Sequence, residues 1–528
     1  MINKDQVPHV GEVNVSEGEH GVVTCAHPDA ALAGLNMLRQ GGNAIDALVA
    51  MSWALTVLEP TMSGLLGVNT VLIKAADSPS VRWLDGVGDC PENLTPGALN
   101  QGRDAKHAGI DALPPTLVSA NAKLLAEHGT VSLRESIEPA YMFARQGVVL
   151  SDVARYWFEI SEEQVNGSIP NLYRSALANP GVPFRQTEMA DALEEIAING
   201  TNPFTEGRYA NAVIAALEAT GGVVTPNDLR RASPSWRDCV SVSIGDAEIF
   251  APGWPNCSYE TLATIATVMA HRANPIVGSP EYWHIFIEAS KLAAQNRMHD
   301  WPRDPSPMAI ENLLTSEQIQ ECADTIVADH PQEHDISWVV HTDGGHTSHL
   351  AAADSHGNVA CATQTLGGLF GCNVWAEGLP INGLGAYVYA ADERAPASLQ
   401  PTPAKPTASI LQMLMCMRDG NFSFTMGSPG GFAIPPTVAQ ATLAVLMGNA
   451  DLASAVGAPR LTPINGGGVV TESRMAREVI ASLRRQHQCQ DVGPWSWLVG
   501  SLHSVSTNSS GGLQAVADPR RGGHAAGT

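Results

Sequence analysis

Three short segments of the sequence contain the residue types on which hydroxyl-nucleophile chemistry depends. They are residues 344–349 (GGHTSH), 363–366 (TQTL) and 427–431 (GSPGG). A threonine hydroxyl is a weak nucleophile until a base takes its proton, and glycine lets a backbone N–H approach a reacting oxygen closely. Each segment alone is also an ordinary structural feature, because threonines are common in strands and glycine–proline runs are common in turns.

The sequence lacks the motifs of several other catalytic classes. Ser428 is not in a G-x-S-x-G elbow, because Met426 lies two residues before it. Neither S-x-x-K, G-x-x-x-x-G-K-[ST] nor H-E-x-x-H occurs. Three neighbouring histidines could be metal ligands, namely His341, His346 and His349. We interpret them as loop histidines or as supports of a nearby site, and we expect no metal.

Two helices are predicted near the start of the chain. Pro28 suits the first turn of a helix in which leucine recurs at every third position. Gly41 and Gly42 are expected to end that helix, and Asn43 to cap the next one. Asp46 then lies in a first helical turn, where the helix dipole favours a negative charge.

Further along, helical patterns give way to hairpins. Residues 117–297 are predicted to be mostly helical, with loops at 221–222 and 251–253. Residues 347–365 and 410–427 each predict a β-hairpin. This order favours an α+β fold in which helices cover antiparallel sheet. Because no stretch reads as a linker, we expect a single domain spanning residues 1–528.

The composition limits the possible partners and compartments. The chain has 528 residues, 44% of them hydrophobic, and a formal charge of −23. An acidic protein without a basic patch is not expected to bind nucleic acid or an anionic membrane. The nine cysteines include no C-x-x-C pair, which favours free thiols in a reducing compartment. With no visible signal peptide or membrane-spanning segment, we expect a cytoplasmic protein.

Taken in order, the motifs resemble the γ-glutamyltranspeptidase family of N-terminal nucleophile hydrolases. The most specific stretch is residues 38–47, LRQGGNAIDA. The other segments similar to the family occur in the expected order, at residues 21–23, 27–28, 59–60, 63–64, 138–140, 221–222, 228–229, 288–293, 458–460 and 517–520. The resemblance therefore extends over nearly the whole chain.

The resemblance implies a four-layer αββα sandwich and a precursor that cuts its own backbone. The cut would fall between His346 and Thr347, giving chains 1–346 and 347–528 that stay packed together. Thr347 matches the nucleophile, and its newly freed α-amine would serve as the base. Thr365 matches the threonine that orients it, and Gly430 and Gly431 match the donors of the oxyanion hole. All these groups belong to the protein, so no cofactor is implied.

The part of the site that would bind substrate departs from the family pattern. Val87 stands where an arginine holds the substrate's α-carboxylate, and Gly367 replaces an asparagine that holds its α-ammonium. The segment around Asn382 lacks the usual acidic pair, and Ser409 is what remains of a double serine. These four residues, together with Ser428 beside the glycine pair, are our candidates for substrate binding. Loss of a buried charge partner is costly, so we expect an acyl pocket that does not take a free γ-glutamyl group.

The leading hypothesis is thus a self-processing hydrolase that cleaves a small-molecule amide through a Thr347 acyl-enzyme. Three alternatives remain open at this point. The first is a γ-glutamyl transferase or hydrolase acting on glutathione or related amides. The second is a hydrolase of a C–C bond in secondary metabolism, and the third is an uncleaved protein that only binds a ligand. Beyond the two chains of the precursor, a higher oligomer is possible.

Overall fold

The computed structural model describes residues 11–103, 108–164, 169–179, 181–299, 311–327, 330–336, 346–464, 468–508 and 510–528. Its α-helices are α1 Pro28–Arg39, α2 Ala44–Leu58, α3 Pro96–Gly102, α4 Leu117–His128, α5 Leu133–Gln146, α6 Asp152–Gln164, α7 Asn171–Ala178, α8 Thr187–Asn199, α9 Asn202–Thr205, α10 Arg208–Glu218, α11 Pro226–Arg231, α12 Tyr259–Ala270, α13 Pro280–His299, α14 Ser316–Thr325, α15 Gly385–Val388, α16 Ile434–Leu446, α17 Leu452–Gly457 and α18 Arg477–Gln486.

The described strands form one large set, which supplies the two inner layers of the molecule, and two small separate sheets. They are β1 Asn14–Gly18, β2 Gly21–Cys25, β3 Val68–Lys74, β4 Val81–Gly86, β5 Ser235–Ile244, β6 Ala247–Pro252, β7 His346–Asp354, β8 Val359–Gly367, β9 Trp375–Ala376, β10 Leu379–Pro380, β11 Met413–Arg418, β12 Asn421–Gly427, β13 Leu461–Pro463, β14 Gly468–Thr471, β15 Gln488–Asp491, β16 His503–Thr507, β17 Leu513–Ala517 and β18 His524–Gly527.

The predicted pair of helices near the start is confirmed, and local chemistry explains its boundaries. The imidazole of His27 accepts a hydrogen bond from the Asp29 backbone at the start of α1. Asn43 and Asp46 form a capping box at the start of α2. Every residue of α2 is buried, which is typical of a helix at the centre of its layer.

Two antiparallel sheets face each other. One runs β1-β17-β16-β12-β11-β6-β5, and the other runs β5-β4-β3-β8-β7-β2-β18. The long strand β5 belongs to both, because residues 235–238 pair with β4 and residues 239–244 pair with β6. The facing surfaces are rich in alanine, including Ala351 and Ala353 of β7 and Ala515 and Ala517 of β17. Small side chains let the two sheets approach closely.

Helices cover both outer faces of this pair of sheets. The apolar core against the β7–β8 sheet includes α1, α2, α4, α5 and α8. The core against the other sheet includes α12, α13, α16 and α18. The order of layers is therefore helix, sheet, sheet, helix, and the α+β sandwich is confirmed. In the described part of the chain, no helix is long and apolar enough to span a bilayer.

Both predicted hairpins are confirmed, as β7–β8 and β11–β12. The loop predicted at residues 251–253 is wrong in part, since Ala251 and Pro252 pair with Val240 and Cys239 at the end of β6. Proline is tolerated at a strand end, where its missing N–H leaves no gap within the ladder. The proline and glycine at residues 252 and 253 therefore mark the end of a strand rather than a connection between helices.

Candidate active site

The β7–β8 hairpin sets Thr347 and Thr365 side by side. The two residues are register partners in the antiparallel ladder, and the register shifts between His346 and Thr347 so that His346 lies opposite Gly367. A shift of this kind is a β-bulge, which re-aims side chains next to functional sites. Thr347 is 5% exposed and Thr365 1% exposed, so both hydroxyls are shielded from bulk water.

The Thr365 hydroxyl is the centre of a small hydrogen-bond network. It donates to the His346 carbonyl oxygen at 2.6 Å. It accepts from the Thr347 hydroxyl at 3.2 Å and from the Gly367 backbone N–H at 2.8 Å. One donor and two acceptor positions are all that a threonine hydroxyl offers. The network thus fixes the orientation of the Thr347 hydroxyl and of the carbonyl that precedes it.

The His346 side chain is packed among aromatic rings. It is 1% exposed, with ring centroids 5.5 Å from Trp157 and 5.8 Å from Trp497. Burial, together with the nearby Arg521 charge, lowers the pKa of His346 to about 3. The imidazole is therefore neutral near pH 7, and its Nδ1 has no hydrogen-bond partner among the described residues.

Arg521 is a buried cation at the same place. Its side chain is 3% exposed, and its guanidinium carbon lies 5.5 Å from the Trp157 ring centroid and 5.4 Å from that of Trp497. One of its nitrogens donates to the Trp497 carbonyl at 3.3 Å. Burial lowers the pKa of Arg521 to about 10, so the group is still charged near neutrality.

The glycine-rich loop after β12 leads into a helix. Gly430 has φ 135° and Gly431 has φ 57°, both in the region that side chains disfavour. Gly431 opens a short 3₁₀ turn that continues into α16. Just before the loop, the His349 ring occupies the space where a side chain at position 427 would lie. That close approach ties the loop to the strand that carries Thr347.

On the helix side of β7, Ser348 connects the hairpin to the end of α2. Its hydroxyl donates to the Glu59 carboxylate at 2.6 Å. Burial raises the pKa of Glu59 to about 7, against the opposing effects of this hydrogen bond and of Arg521. Sequence reasoning placed Glu59 only in a family motif and missed this contact, because the two partners are far apart in the chain.

Three of the substrate-binding candidates form side-chain hydrogen bonds with backbone groups; they are Asn382, Ser409 and Ser428. The Asn382 amide donates to the carbonyls of Leu66 and Leu113, and its oxygen accepts from the Leu113 N–H. The Ser409 hydroxyl accepts from the Leu411 N–H at 3.2 Å. The Ser428 hydroxyl donates to the Pro429 carbonyl and accepts from the Ser501 N–H. All of these contacts hold loops in place around the hairpin.

The other two substrate-binding candidates have different surroundings. Val87 is 1% exposed and packs in an apolar cluster with Val68, Leu384 and Leu411. Gly367 has φ 88°, and a side chain there would meet the backbone of Gly383 at 2.9 Å. Gly367 is therefore a close-packing position that bonds Thr365 through its N–H.

Of the three histidines considered as metal ligands, the two in the described part of the chain have separate surroundings. His341 lies outside the described residues. His349 points between the sheets and bonds the Thr363 hydroxyl at 2.8 Å, whereas His346 packs against Trp157 and Trp497.

Sequence reasoning also missed a buried polar cluster elsewhere, formed by His284, Glu288 and His487. His284 and His487 already bond each other at 3.0 Å, and the Lys291 ammonium lies 3.3 Å from Glu288. The two histidines and the glutamate thus already have protein partners for these atoms.

Comparison with known proteins decides the family. The family model described as Gamma-glutamyltranspeptidase matches residues 30–528. The chain belongs to the γ-glutamyltranspeptidase family. Its relatives named as acylases and glutathione hydrolases are amide hydrolases or acyltransferases of the N-terminal nucleophile class. This chain is an enzyme of that type.

Two family relatives are similar over their full length. The chain is 28% identical to the Acylase ACY 1 proenzyme of Pseudomonas sp. (strain V22), covering 97% of this chain and 95% of the relative. It is 27% identical to the glutathione hydrolase-like YwrD proenzyme of Bacillus subtilis, covering 97% and 99%.

Two solved structures share the fold of this chain. The crystal structure of cephalosporin acylase from Bacillus halodurans superposes with a TM-score of 0.86, at 24% identity and with 100% and 99% coverage. A γ-glutamyltranspeptidase from Pseudomonas nitroreducens gives a TM-score of 0.52, at 22% identity, over 58% of this chain and 94% of that one.

Proposed function

We propose that the protein is a self-processing amide hydrolase that uses Thr347 as its nucleophile. The observation that carries the proposal is the Thr365 hydroxyl, which bonds both the Thr347 hydroxyl and the His346 carbonyl oxygen. A single side chain thereby aligns an attacking oxygen with a polarised carbonyl. The relatives named as proenzymes support a precursor of this kind.

In the first step, Thr347 Oγ1 attacks the His346 carbonyl carbon while its proton passes to the departing Thr347 nitrogen. The C–N bond breaks and an ester forms between His346 and the Thr347 oxygen. Water then hydrolyses the ester, leaving His346 with a new carboxylate and Thr347 with a free α-amine. The single domain would then consist of chains 1–346 and 347–528.

The mature site would repeat this chemistry on a substrate. The α-amine of Thr347 takes the hydroxyl proton, the hydroxyl attacks the amide carbonyl, and the proton passes to the leaving amine. Backbone N–H groups of Gly430 and Gly431 stabilise the tetrahedral oxyanion; one such donor contributes about 3 kcal/mol. Water releases the acyl group from Thr347.

A non-glutamyl acyl group is part of the proposal. In the family pattern, an arginine holds the γ-glutamyl carboxylate at the position of Val87, which is apolar and buried here. Asn382, in the segment that lacks the acidic pair, is fully engaged with backbone groups. A free γ-glutamyl head group would therefore be buried without its usual charge partners, which is strongly unfavourable.

Chromogenic p-nitroanilides test this function. We expect the processed protein to hydrolyse at least one non-glutamyl acyl anilide with a kcat/KM at least about tenfold above that for γ-glutamyl anilide. A Thr347→Ala variant should be inactive on every anilide. Preferred turnover of γ-glutamyl anilide would overturn the acyl-group assignment, and undiminished activity of the variant would overturn the nucleophile.

A further inference from the structure

The side chain of His346 fills a chamber that self-cleavage would open. We define the His346 chamber by Trp157, Trp497 and Arg521, which surround the imidazole. Trp157 and Trp497 meet edge to face at 5.1 Å, and the Trp497 indole N–H donates to the Tyr156 hydroxyl at 2.8 Å. These contacts fix the walls independently of His346, so the chamber is preformed.

Arg521 supplies an unpaired charge to this chamber. Its Nε and one of its terminal nitrogens have no hydrogen-bond partner among the described residues. None of the described carboxylates forms an ion pair with it. Glu59 is bonded to Ser348, and Asp518 is paired with other arginines. Glu59 acts on the Arg521 charge through space without a direct bond, so the N–H groups of Arg521 that lack a partner among the described residues are available to a bound anion.

Arg521 also lies beside the loop assigned to the oxyanion. A side-chain carbon placed on Gly430 would be 3.8 Å from an Arg521 terminal nitrogen. The guanidinium is thus close to the Gly430 loop as well as to the aromatic walls. A cavity of about 350 Å³ on the neighbouring surface is lined by Trp157, Glu59 and Gly522, among others, and it offers room for an acyl group longer than imidazole.

The chemistry of self-cleavage connects His346 with the substrate. In the proposed ester, the His346 acyl group is attached to Thr347 Oγ1. A substrate acyl group forms the same ester bond to the same oxygen. Both acyl groups are therefore attached to the same oxygen, and the space that His346 occupies lies within reach of a substrate acyl group.

We propose that the vacated His346 chamber is the acyl subsite and takes a planar aromatic acyl group that carries a carboxylate. Trp157 and Trp497 contact the ring, and Arg521 pairs with the carboxylate. This assignment rests on the proposed function, since it requires an acyl-enzyme at Thr347. Arginine suits the role because its planar fork binds a carboxylate through two hydrogen bonds and stacks on aromatic faces.

A binding experiment tests the chamber without relying on cleavage. Thr347→Ala protein, alone and combined with His346→Gly, is titrated with phenylacetate, phenylacetamide and glutarate by tryptophan fluorescence and calorimetry. We expect the double variant to bind phenylacetate at least about tenfold more tightly than the single variant does. We also expect it to prefer phenylacetate to the neutral amide and to glutarate. Equal binding by the two proteins, or no preference for phenylacetate, would overturn the proposal.

Turnover by the processed enzyme gives a second, independent measurement. The substrates are p-nitroanilides of 4-carboxyphenylacetic, phenylacetic and glutaric acids. We expect the first to have the highest kcat/KM, and Arg521→Gln to reduce its advantage over phenylacetyl anilide by at least about tenfold. The matched control is Arg82→Gln, which removes an arginine over Trp236 at 4.6 Å, away from the site, and should leave the ratio unchanged.

The two experiments separate the failure of this assignment from the failure of the proposed function. Absence of self-cleavage and of any amide hydrolysis would reject the proposed function. Binding to the His346→Gly protein would still show whether the chamber takes a ring that carries a carboxylate. Hydrolysis with no aromatic or acidic preference, or with a preference insensitive to Arg521→Gln, would reject the chamber and leave the function standing.

Discussion

At the scale of single residues, Thr365 is the centre of the hydrogen bonds around Thr347. Its hydroxyl bonds the Thr347 hydroxyl, the His346 carbonyl and the Gly367 N–H at once. The bond to the carbonyl draws electron density from the carbon that Thr347 would attack. Thr365 is therefore a positioning residue in the proposed self-cleavage.

Replacing Thr365 by valine keeps the shape of the side chain and removes its hydroxyl. We expect Thr365→Val to slow the conversion of precursor to two chains by about a hundredfold, because an aligned hydrogen-bond donor to a reacting carbonyl contributes about 3 kcal/mol. The time course of processing on denaturing gels measures the effect. Thr365→Ser retains the hydroxyl and should stay within about tenfold of the wild type. Processing of the valine variant at the wild-type rate would contradict this role.

Residue types and their order in the sequence were enough to place Thr347 and Thr365 together, because a hairpin makes them neighbours. They were not enough for Asn382 or Ser428. The partners of those two side chains are backbone groups such as Leu66 and Ser501, which belong to other parts of the chain. A motif shows which side chain is present, but not whether the fold has already used its hydrogen bonds.

At the scale of elements, the loop between β12 and α16 combines two conformational demands. Gly430 and Gly431 both have positive φ, and the position of Gly427 leaves no room for a side chain beside His349. These glycines let the loop turn sharply and approach β7. The loop therefore presents backbone N–H groups at the start of a helix, where the dipole favours a developing negative charge.

Gly430→Ala tests this loop. At φ 135° an alanine is strained, so the loop should shift and the N–H groups assigned to the oxyanion should move with it. We expect kcat of the processed enzyme to fall about a hundredfold or more when it is measured well below the melting temperature of the variant, which the strain lowers. Gly97→Ala is the control, because Gly97 lies in α3 with open space around it. Undiminished kcat in the Gly430 variant would remove this loop from the mechanism.

Capping residues in the sequence predicted the start of α2 correctly. Asn43 and Asp46 cap α2 as expected, but Asp46 also accepts hydrogen bonds from the backbone and hydroxyl of Thr130. The dipole explanation was therefore incomplete, since Asp46 also anchors the segment before α5. Strands β5 and β6 form a local hairpin, and the alternation of apolar and polar residues at 240–244 was a signal for it that sequence reasoning missed.

At the scale of the whole molecule, a buried ionic cluster joins distant parts of the chain near its carboxyl end. Asp518 pairs with Arg460 at 2.6 Å and with Arg520 at 3.1 Å, and Arg520 also pairs with Glu472 at 2.7 Å. The Asp518, Arg520 and Glu472 side chains are fully buried. The buried charges of this cluster are all paired only when every member is present. The cluster also positions the turn that carries Arg521.

Removal of the Asp518 carboxylate should show how much the ionic cluster stabilises the fold. We expect Asp518→Asn to lower the free energy of unfolding by about 3–5 kcal/mol, because the buried Arg460 loses its carboxylate partner and Arg520 keeps only Glu472. Chemical denaturation measures the change. Asp392→Asn is the control, since its partner Arg394 is exposed, and it should leave the unfolding curve unchanged. A loss as small as that of the control would show that the cluster does not hold the fold.

The same carboxylate predicts a dependence on pH. Burial alone would raise the pKa of Asp518, but Arg460, Arg520 and two backbone N–H groups lower it from 3.8 to about 2. A depressed pKa stabilises the folded state above pH 4, and that contribution is lost as the pH falls from about 4 to 2. The unfolding free energy of the wild type should drop over this interval. Chemical denaturation at each pH should show a smaller drop in the unfolding free energy for the Asp518→Asn protein. An equal drop in the two proteins would contradict the role of Asp518.

The most direct test of the central claim is the intact mass of the purified protein under denaturing conditions, beside the Thr347→Ala variant. We expect two species for the wild type, corresponding to residues 1–346 and 347–528, and one full-length species near 55.6 kDa for the variant. A full-length wild-type protein, or a variant that is cut at the same bond, would contradict self-cleavage by Thr347.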